Sequence, residues 1–145
     1  MAEIAASIIG ISSFGVRLTL ELYNFGATTA SAKQQTDRIA KHVTLYSNVL
    51  ELLAERVKED APMISEVAID LVEELYDQSE EIFERIRALL PRGDPGDELS
   101  FMQKIKWNFK KPKVDLLVGE LEYLKGTVQL LVTVIYTGKT FRSYK

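Results

Sequence analysis

Four stretches of this chain space their apolar residues as helices do, and none shows the strict alternation of a half-buried strand. The first runs from about Glu3 to Phe25. Its apolar positions Ile4, Ile8, Ile11, Leu18, Leu22 and Phe25 keep to steps of three and four, with Gly15 taking the turn between Ile11 and Leu18. Ile9, Phe14, Val16 and Leu20 widen that stripe until the helix is apolar nearly all round, which suits the centre of a core or contact with lipid. After Gly26, read as a helix stop, the second stretch runs from about Ala30 to Lys58 and marks one face with Ile39, Val43, Tyr46, Leu50, Leu53 and Val57. The third begins near Pro62, suited to a first turn, and stops before Pro91. Ile64, Val67, Leu71, Leu75, Ile82, Ile86 and Leu89 are its expected buried face, and Glu66, Asp70, Glu73, Asp77, Glu80 and Glu84 the opposite one.

Residues 91–98 are rich in breakers and acid and read as a loop. A short amphipathic segment follows from Leu99 to Phe109, then a break at Lys110-Lys111-Pro112. The last long helix is expected from about Lys113 to Thr137, with an unbroken stripe of Val114, Leu117, Leu121, Leu124, Val128, Leu131 and Ile135. Short links between long helices favour antiparallel packing. The pattern therefore predicts an all-α, antiparallel four-helix-type bundle with an additional short amphipathic helix before the last long one, formed as one domain over residues 1–145.

Composition narrows the chemistry. The chain has 145 residues, no cysteine and one histidine, His42, so disulfides, thiolate nucleophiles and cysteine-rich zinc sites are excluded together. Ser12 and Ser13 stand in the apolar first helix, far from His42 and outside any nucleophile-elbow pattern. Thr137-Gly138-Lys139-Thr140 imitates the end of a phosphate-binding loop, but Thr133 stands where that loop needs its first glycine. No enzyme, cofactor, metal or small-molecule substrate is expected. The protein acts by binding.

The net charge of −3 hides an asymmetry. Residues 1–58 carry six basic and five acidic side chains, net +1. Residues 59–98 carry three basic and thirteen acidic, net −10, and residues 99–145 carry nine basic and three acidic, net +6. Within the basic part, Lys104, Lys106, Lys110, Lys111 and Lys113 surround Phe101, Trp107 and Phe109. The chain as a whole is acidic and holds no nucleic-acid module, so these aromatics are expected to pack on the bundle or the cluster to meet an anionic membrane or a partner. The first helix has thirteen residues, Ile4 to Val16, without a charge, fewer than the ~20 apolar residues of a spanning helix. At rest its apolar side chains, Ile9 among them, are expected to be sheltered. Met1-Ala2-Glu3 lacks the basic start of a secretory signal, so the expected location is cytoplasmic.

Several short motifs stand out: Met1-Ala2-Glu3 with Ala5-Ala6-Ser7-Ile8-Ile9-Gly10, Leu20-Glu21-Leu22-Tyr23-Asn24-Phe25-Gly26, Ile39-Ala40-Lys41-His42-Val43 and Val49-Leu50-Glu51-Leu52-Leu53. With Lys106-Trp107-Asn108-Phe109-Lys110-Lys111 and Leu121-Glu122-Tyr123-Leu124-Lys125-Gly126-Thr127 they span essentially the whole chain. Together they resemble the fungal Helo-like N-terminal domain. The resemblance implies a helical bundle at the N-terminus of an NLR-type STAND receptor, held inactive by an attached sensor or NTPase domain. It implies self-association on activation and attack on the plasma membrane, leading to regulated cell death. The positions matching the membrane-effector helix are Ile4, Ile8, Ile9, Gly10, Ile11, Phe14 and Gly15; those expected to meet anionic lipid or a partner are Lys104, Lys106, Trp107, Lys110, Lys111 and Lys113. Glu3 and Arg17 bracket the apolar run closely and the glycines form no regular zipper, a departure from the death-inducing pattern. The rival reading is a non-lytic interaction or oligomerisation adaptor.

Overall fold

The computed structural model describes the backbone of residues 2–59, 64–91 and 98–143 and the side chains of residues 3–59, 64–91 and 100–136. The helices are α1 (Ala2–Thr28), α2 (Lys33–Glu59), α3 (Glu66–Arg87), α4 (Glu98–Asn108) and α5 (Lys111–Ser143), with no strand among the described residues. This is the all-α bundle with a short fourth helix that the periodicity predicts. Pro62 and the loop residues 92–97 lie outside the described residues.

The four long helices form a ring in the order α1, α2, α5, α3. Long helices that follow one another along the chain alternate in direction. Thr44 meets Thr19 and Ser47 meets Ser12, so α1 and α2 are antiparallel; Arg85 on α3 reaches Glu120 on α5 at 2.8 Å, while Ala68 and Leu131 share the far end, so α3 and α5 are antiparallel too. The other two sides of the ring run parallel. Arg38, His42 and Arg56 of α2 meet Asp115, Glu122 and Tyr136 of α5 in ascending order, as Phe14 and Glu21 of α1 meet Phe83 and Arg87 of α3. α2 and α3 therefore sit on a diagonal, joined across the centre by Tyr46, whose ring packs edge-on to Phe83 and whose hydroxyl hydrogen-bonds Ser79 Oγ.

The tightest side is α1 on α2. Ala5, Ile8, Ser12, Gly15, Thr19, Leu22 and Gly26 are all buried along one stripe of α1, at steps of three and four. Ser12 Oγ donates to the Ser47 carbonyl at 2.9 Å, and Thr44 Oγ1 donates to Thr19 Oγ1 at 3.3 Å. A Cβ placed on Gly15 would overlap Ser47 Oγ and stand 3.0 Å from Phe83 Cζ; one on Gly26 would overlap Thr36 Oγ1. Gly26 thus serves backbone approach inside the helix. It does not stop α1, which continues to Thr28.

α2 and α5 bury the stripes the sequence predicts, from Ile39 to Val57 and from Val114 to Ile135. The third helix departs from expectation. Its N-cap is Ser65, whose Oγ accepts from the Ala68 amide, and its inner face runs through Ala68, Val72, Leu75, Ser79, Ile82, Phe83 and Ile86. Val67 is 69% exposed and Leu71 is exposed beside it. The larger apolar side chains misled because small ones, Ala68 and Ser79, hold the inward positions. Pro112 lies in the first turn of α5, and the break falls at Phe109–Lys110, one position earlier than read. The α5 backbone stays helical through positions 137–140, where a phosphate-binding loop would have to turn.

Two measurements test this core. Leu121 is fully buried, so Leu121→Ala is expected to lower unfolding free energy by about 2–5 kcal/mol in chemical denaturation, and a change within the range of surface substitutions would place the α5 seam in solvent. Burial pushes the Tyr46 phenol up to about 12, against a smaller opposing effect of its bond to Ser79. A group held protonated in the folded state contributes stability below its unfolded pKa of about 10 and loses it as pH rises toward 12. Alkaline denaturation over that window is expected to remove about 2–3 kcal/mol through Tyr46, a loss that Tyr46→Phe removes while the smaller contribution of Tyr76, also pushed up by its bond to Glu80, remains.

Candidate interaction surfaces

The described residues contain no group of three or more His, Cys, Asp or Glu side chains able to hold a metal ion. His42 lies at the α2–α5 edge with Nδ1 2.9 Å from Glu122 Oε1. Lys125, bonding the same carboxylate at 3.1 Å, holds Glu122 below the usual carboxylate range, and His42 adds to that effect. Ser12 spends its hydroxyl on the seam to α2. These groups are structural pairings around the bundle, and three surfaces are left as candidate sites.

The first is the outer face of α1. Of the seven positions singled out there, Ile8, Ile11 and Gly15 are buried, Ile4 and Phe14 are half-buried, and Ile9 and Gly10 face solvent. The expectation that Ile9 is sheltered is therefore corrected. The α1–α2 seam fixes the roll of α1, and that roll turns Ile9, Val16, Leu20 and Tyr23 outward, with Leu20 58% exposed. Ala6, Ser7, Gly10 and Ser13 stand exposed among them. Phe14, half-buried, stacks on Phe83 with ring centroids 5.8 Å apart and lies beneath the guanidinium groups of Arg17 and Arg87. By length and composition, Glu3–Thr28 is long and apolar enough to cross a membrane, and only 39% of its most apolar stretch is buried. Counting the uncharged run alone understated this helix, because a span tolerates two charges and α1 extends beyond Phe25. Its 27 residues measure about 40 Å, against a hydrocarbon core of about 30 Å.

The second surface is the corner where α4 meets α5. Phe109 is buried and stacks on Phe25 at 5.7 Å, and Phe101 is partly buried against the core. Asn108 Nδ2 donates to the Leu89 carbonyl at 3.1 Å, fastening α4 to the end of α3. Trp107 is left outside, 58% exposed, with Lys110 Nζ 4.4 Å and Lys113 Nζ 4.9 Å from its ring centroid. Such cation–π contacts organise a positively charged aromatic platform. Lys104, Lys106 and Lys111 are exposed around it. The structure thus brings Lys110 and Lys113 onto Trp107, pairs Lys111 with Asp115, and separates Trp107 from the two phenylalanines.

The third surface was not visible in the sequence. Between α3 and α5 lies an open groove of about 360 Å³ lined by Val67, Leu71, Leu75, Leu130 and Val134. It continues past Gln78 and Tyr123 into a second stretch of about 480 Å³ bordered by Glu81, Arg85 and Glu120. Val67, Leu71, Leu130 and Val134 are all exposed, so the groove shows water an apolar floor. Its two walls come from helices far apart in sequence, and each outward residue alone looks like an ordinary exception.

No family model, curated protein or solved structure matches the chain.

The corner makes a direct prediction about stability. Trp107→Ala is expected to change unfolding free energy by no more than about 0.5 kcal/mol, as for an exposed side chain, whereas Phe109→Ala is expected to cost about 3–5 kcal/mol. Thermal denaturation of both variants checks the division of labour between these neighbours.

Proposed function

We propose that this chain is a membrane-directed signalling domain that associates on activation and induces regulated cell death, with α1 as its effector helix. One observation carries the reading. α1 is long and apolar enough to cross a membrane, and it already turns Ile9, Val16, Leu20 and Tyr23 to the outside of the folded bundle. An apolar stripe of this kind on a folded domain marks a surface for lipid or for another protein. The resemblance of the leader and of the Lys106–Lys111 stretch to Helo-like domains supports the same reading and supplies its biological setting.

The proposed mechanism follows from the two faces of α1. Its inner face is held by the small-residue seam to α2, and withdrawing side chains such as Ile8 or Leu22 from the core costs about 1.5–3 kcal/mol each. The outer face needs no such withdrawal. The domain first meets the membrane through Ile9, Val16 and Leu20 while still folded, and α1 leaves the bundle only when lipid and further copies offset the loss of core contacts. Glu3, Arg17 and Glu21 make a lone α1 a costly span, so several copies together are the expected membrane form.

Ile9→Asp and Leu20→Asp place charges on the outer stripe without touching the core, so the fold survives while vesicle binding and leakage fall. The expected drop is tenfold or more in vesicle affinity, given about 2.5–3.5 kcal/mol for an aspartate in the apolar layer. Helicity by circular dichroism confirms the fold. Leakage equal to that of the unaltered chain would overturn the effector role of α1, and the absence of any leakage by the unaltered chain would favour the adaptor reading.

A further inference from the structure

The α3–α5 groove and the Trp107 corner are complementary to each other. The groove offers an apolar floor at Val67, Leu71, Leu130 and Val134, with Glu74 and Glu81 on its α3 wall. The acids that line it, Glu74, Glu81, Asp115 and Glu120, outnumber its one lining cation, Arg85. The corner offers the reverse, a flat exposed indole under two ammonium groups, with Lys104, Lys106 and Lys111 exposed nearby in sequence. We propose that the α3–α5 groove of one copy receives the Trp107 corner of a second copy, so that the chain assembles head to tail.

Distance keeps the corner off the apolar floor of its own groove, although the opposite end of the groove, lined by Asp115, adjoins its own Lys111. Lys113 and Leu130 stand seventeen residues apart on one helix, about 25 Å, so the corner cannot lie on its own groove floor. Charge rules out the symmetric alternative. Groove on groove would oppose two acidic walls, and corner on corner would oppose two lysine clusters, each costly at close range. A groove-to-corner contact is heterologous, and each added copy leaves a free groove at one end and a free corner at the other, so assembly proceeds to a ring or a filament. An anionic membrane would occupy the corner alone and leave the apolar groove open beside a wall that repels it. A second copy covers both. Trp107 is the anchor, because tryptophan is among the side chains that most often carry the binding energy of an interface once buried in it.

This inference rests on the association step of the proposed function and not on its membrane step, and a lipid-free experiment separates the two. Sedimentation velocity of the intact chain over rising concentration reports assembly. The emission of Trp107, the sole tryptophan, reports its environment. The expected result is an increase in sedimentation coefficient accompanied by a blue shift of the emission, both suppressed by added salt. Lys110→Glu with Lys113→Glu, and separately Glu74→Lys with Glu81→Lys, should each weaken assembly by more than about tenfold. Mixing the two doubly reversed variants should restore it, because the exchanged charges again match. Trp107→Ala should weaken assembly while leaving the helical signal intact. A chain that stays monomeric throughout, reversed variants that assemble like the parent, or a mixture that fails to recover would each overturn the proposal. An emission shift that occurs only with anionic vesicles would overturn it as well and assign the corner to lipid. Leakage assays then judge the membrane reading alone.

Discussion

The close approach of α1 to α2 is the constraint on which the rest of the molecule depends. It is possible because Gly15 and Gly26 present no side chain where Ser47 and Thr36 stand, and because Ser12 and Thr19 carry hydroxyls that find partners in the narrow gap. Packing this tight leaves little rotational freedom. With its inner stripe committed, α1 has no choice about which residues it shows to solvent. The exposure of Ile9, Val16 and Leu20 follows from a seam made of glycines and hydroxyls on the other side of the helix.

The remaining sides of the ring are less even. α2 and α5 are joined by a full hydrophobic stripe and framed by Arg38–Asp115 and His42–Glu122. α3 and α5 meet through one ion pair and then diverge into a groove. The C-terminal end of the acidic third helix adjoins the basic corner, where Glu84 and Lys104 line one pocket and Asn108 bonds the Leu89 carbonyl, while its N-terminal end lies beside Leu130 and Val134. This arrangement gives the bundle a closed flank and an open one.

Much of this fold is legible in the sequence, because α2 and α5 carry faultless stripes from Ile39 to Val57 and from Val114 to Ile135. The failures share a physical cause. Ala68 and Ser79 fill inward positions with small or polar groups, Ser79 being satisfied by Tyr46 and the Leu75 carbonyl, while Val67 and Leu71 stand outside. Periodicity weighs side chains by size and polarity and so favours the wrong face. Gly26 reads as a stop because glycine often ends helices, yet here the neighbouring helix demands it. The candidate surfaces divide in the same way. The lysines around Trp107 are close together in sequence and visible, whereas the groove depends on residues thirty or more positions apart, and the exposure of Ile9 depends on the roll of a helix that is apolar nearly all round.

The order of helices around the ring also bears on how the chain reaches this state. α1 and α2 are consecutive and can zip together as a local hairpin, at small cost in loop entropy. α5 must find α2 across separations of 77 residues at Arg38–Asp115 and 80 at His42–Glu122, and non-local docking of this kind is slow. The topology therefore favours early formation of the α1–α2 hairpin and late arrival of α5, with the α3–α5 flank closing last. Local opening follows the weakest cooperative unit, so amide exchange should reach that flank before it reaches the hairpin. The helix assigned the effector role thus belongs to the most persistent part of the molecule. Under the proposed function, a trigger that frees this helix would have to loosen the sturdy half first, and that requirement would keep the resting domain inactive.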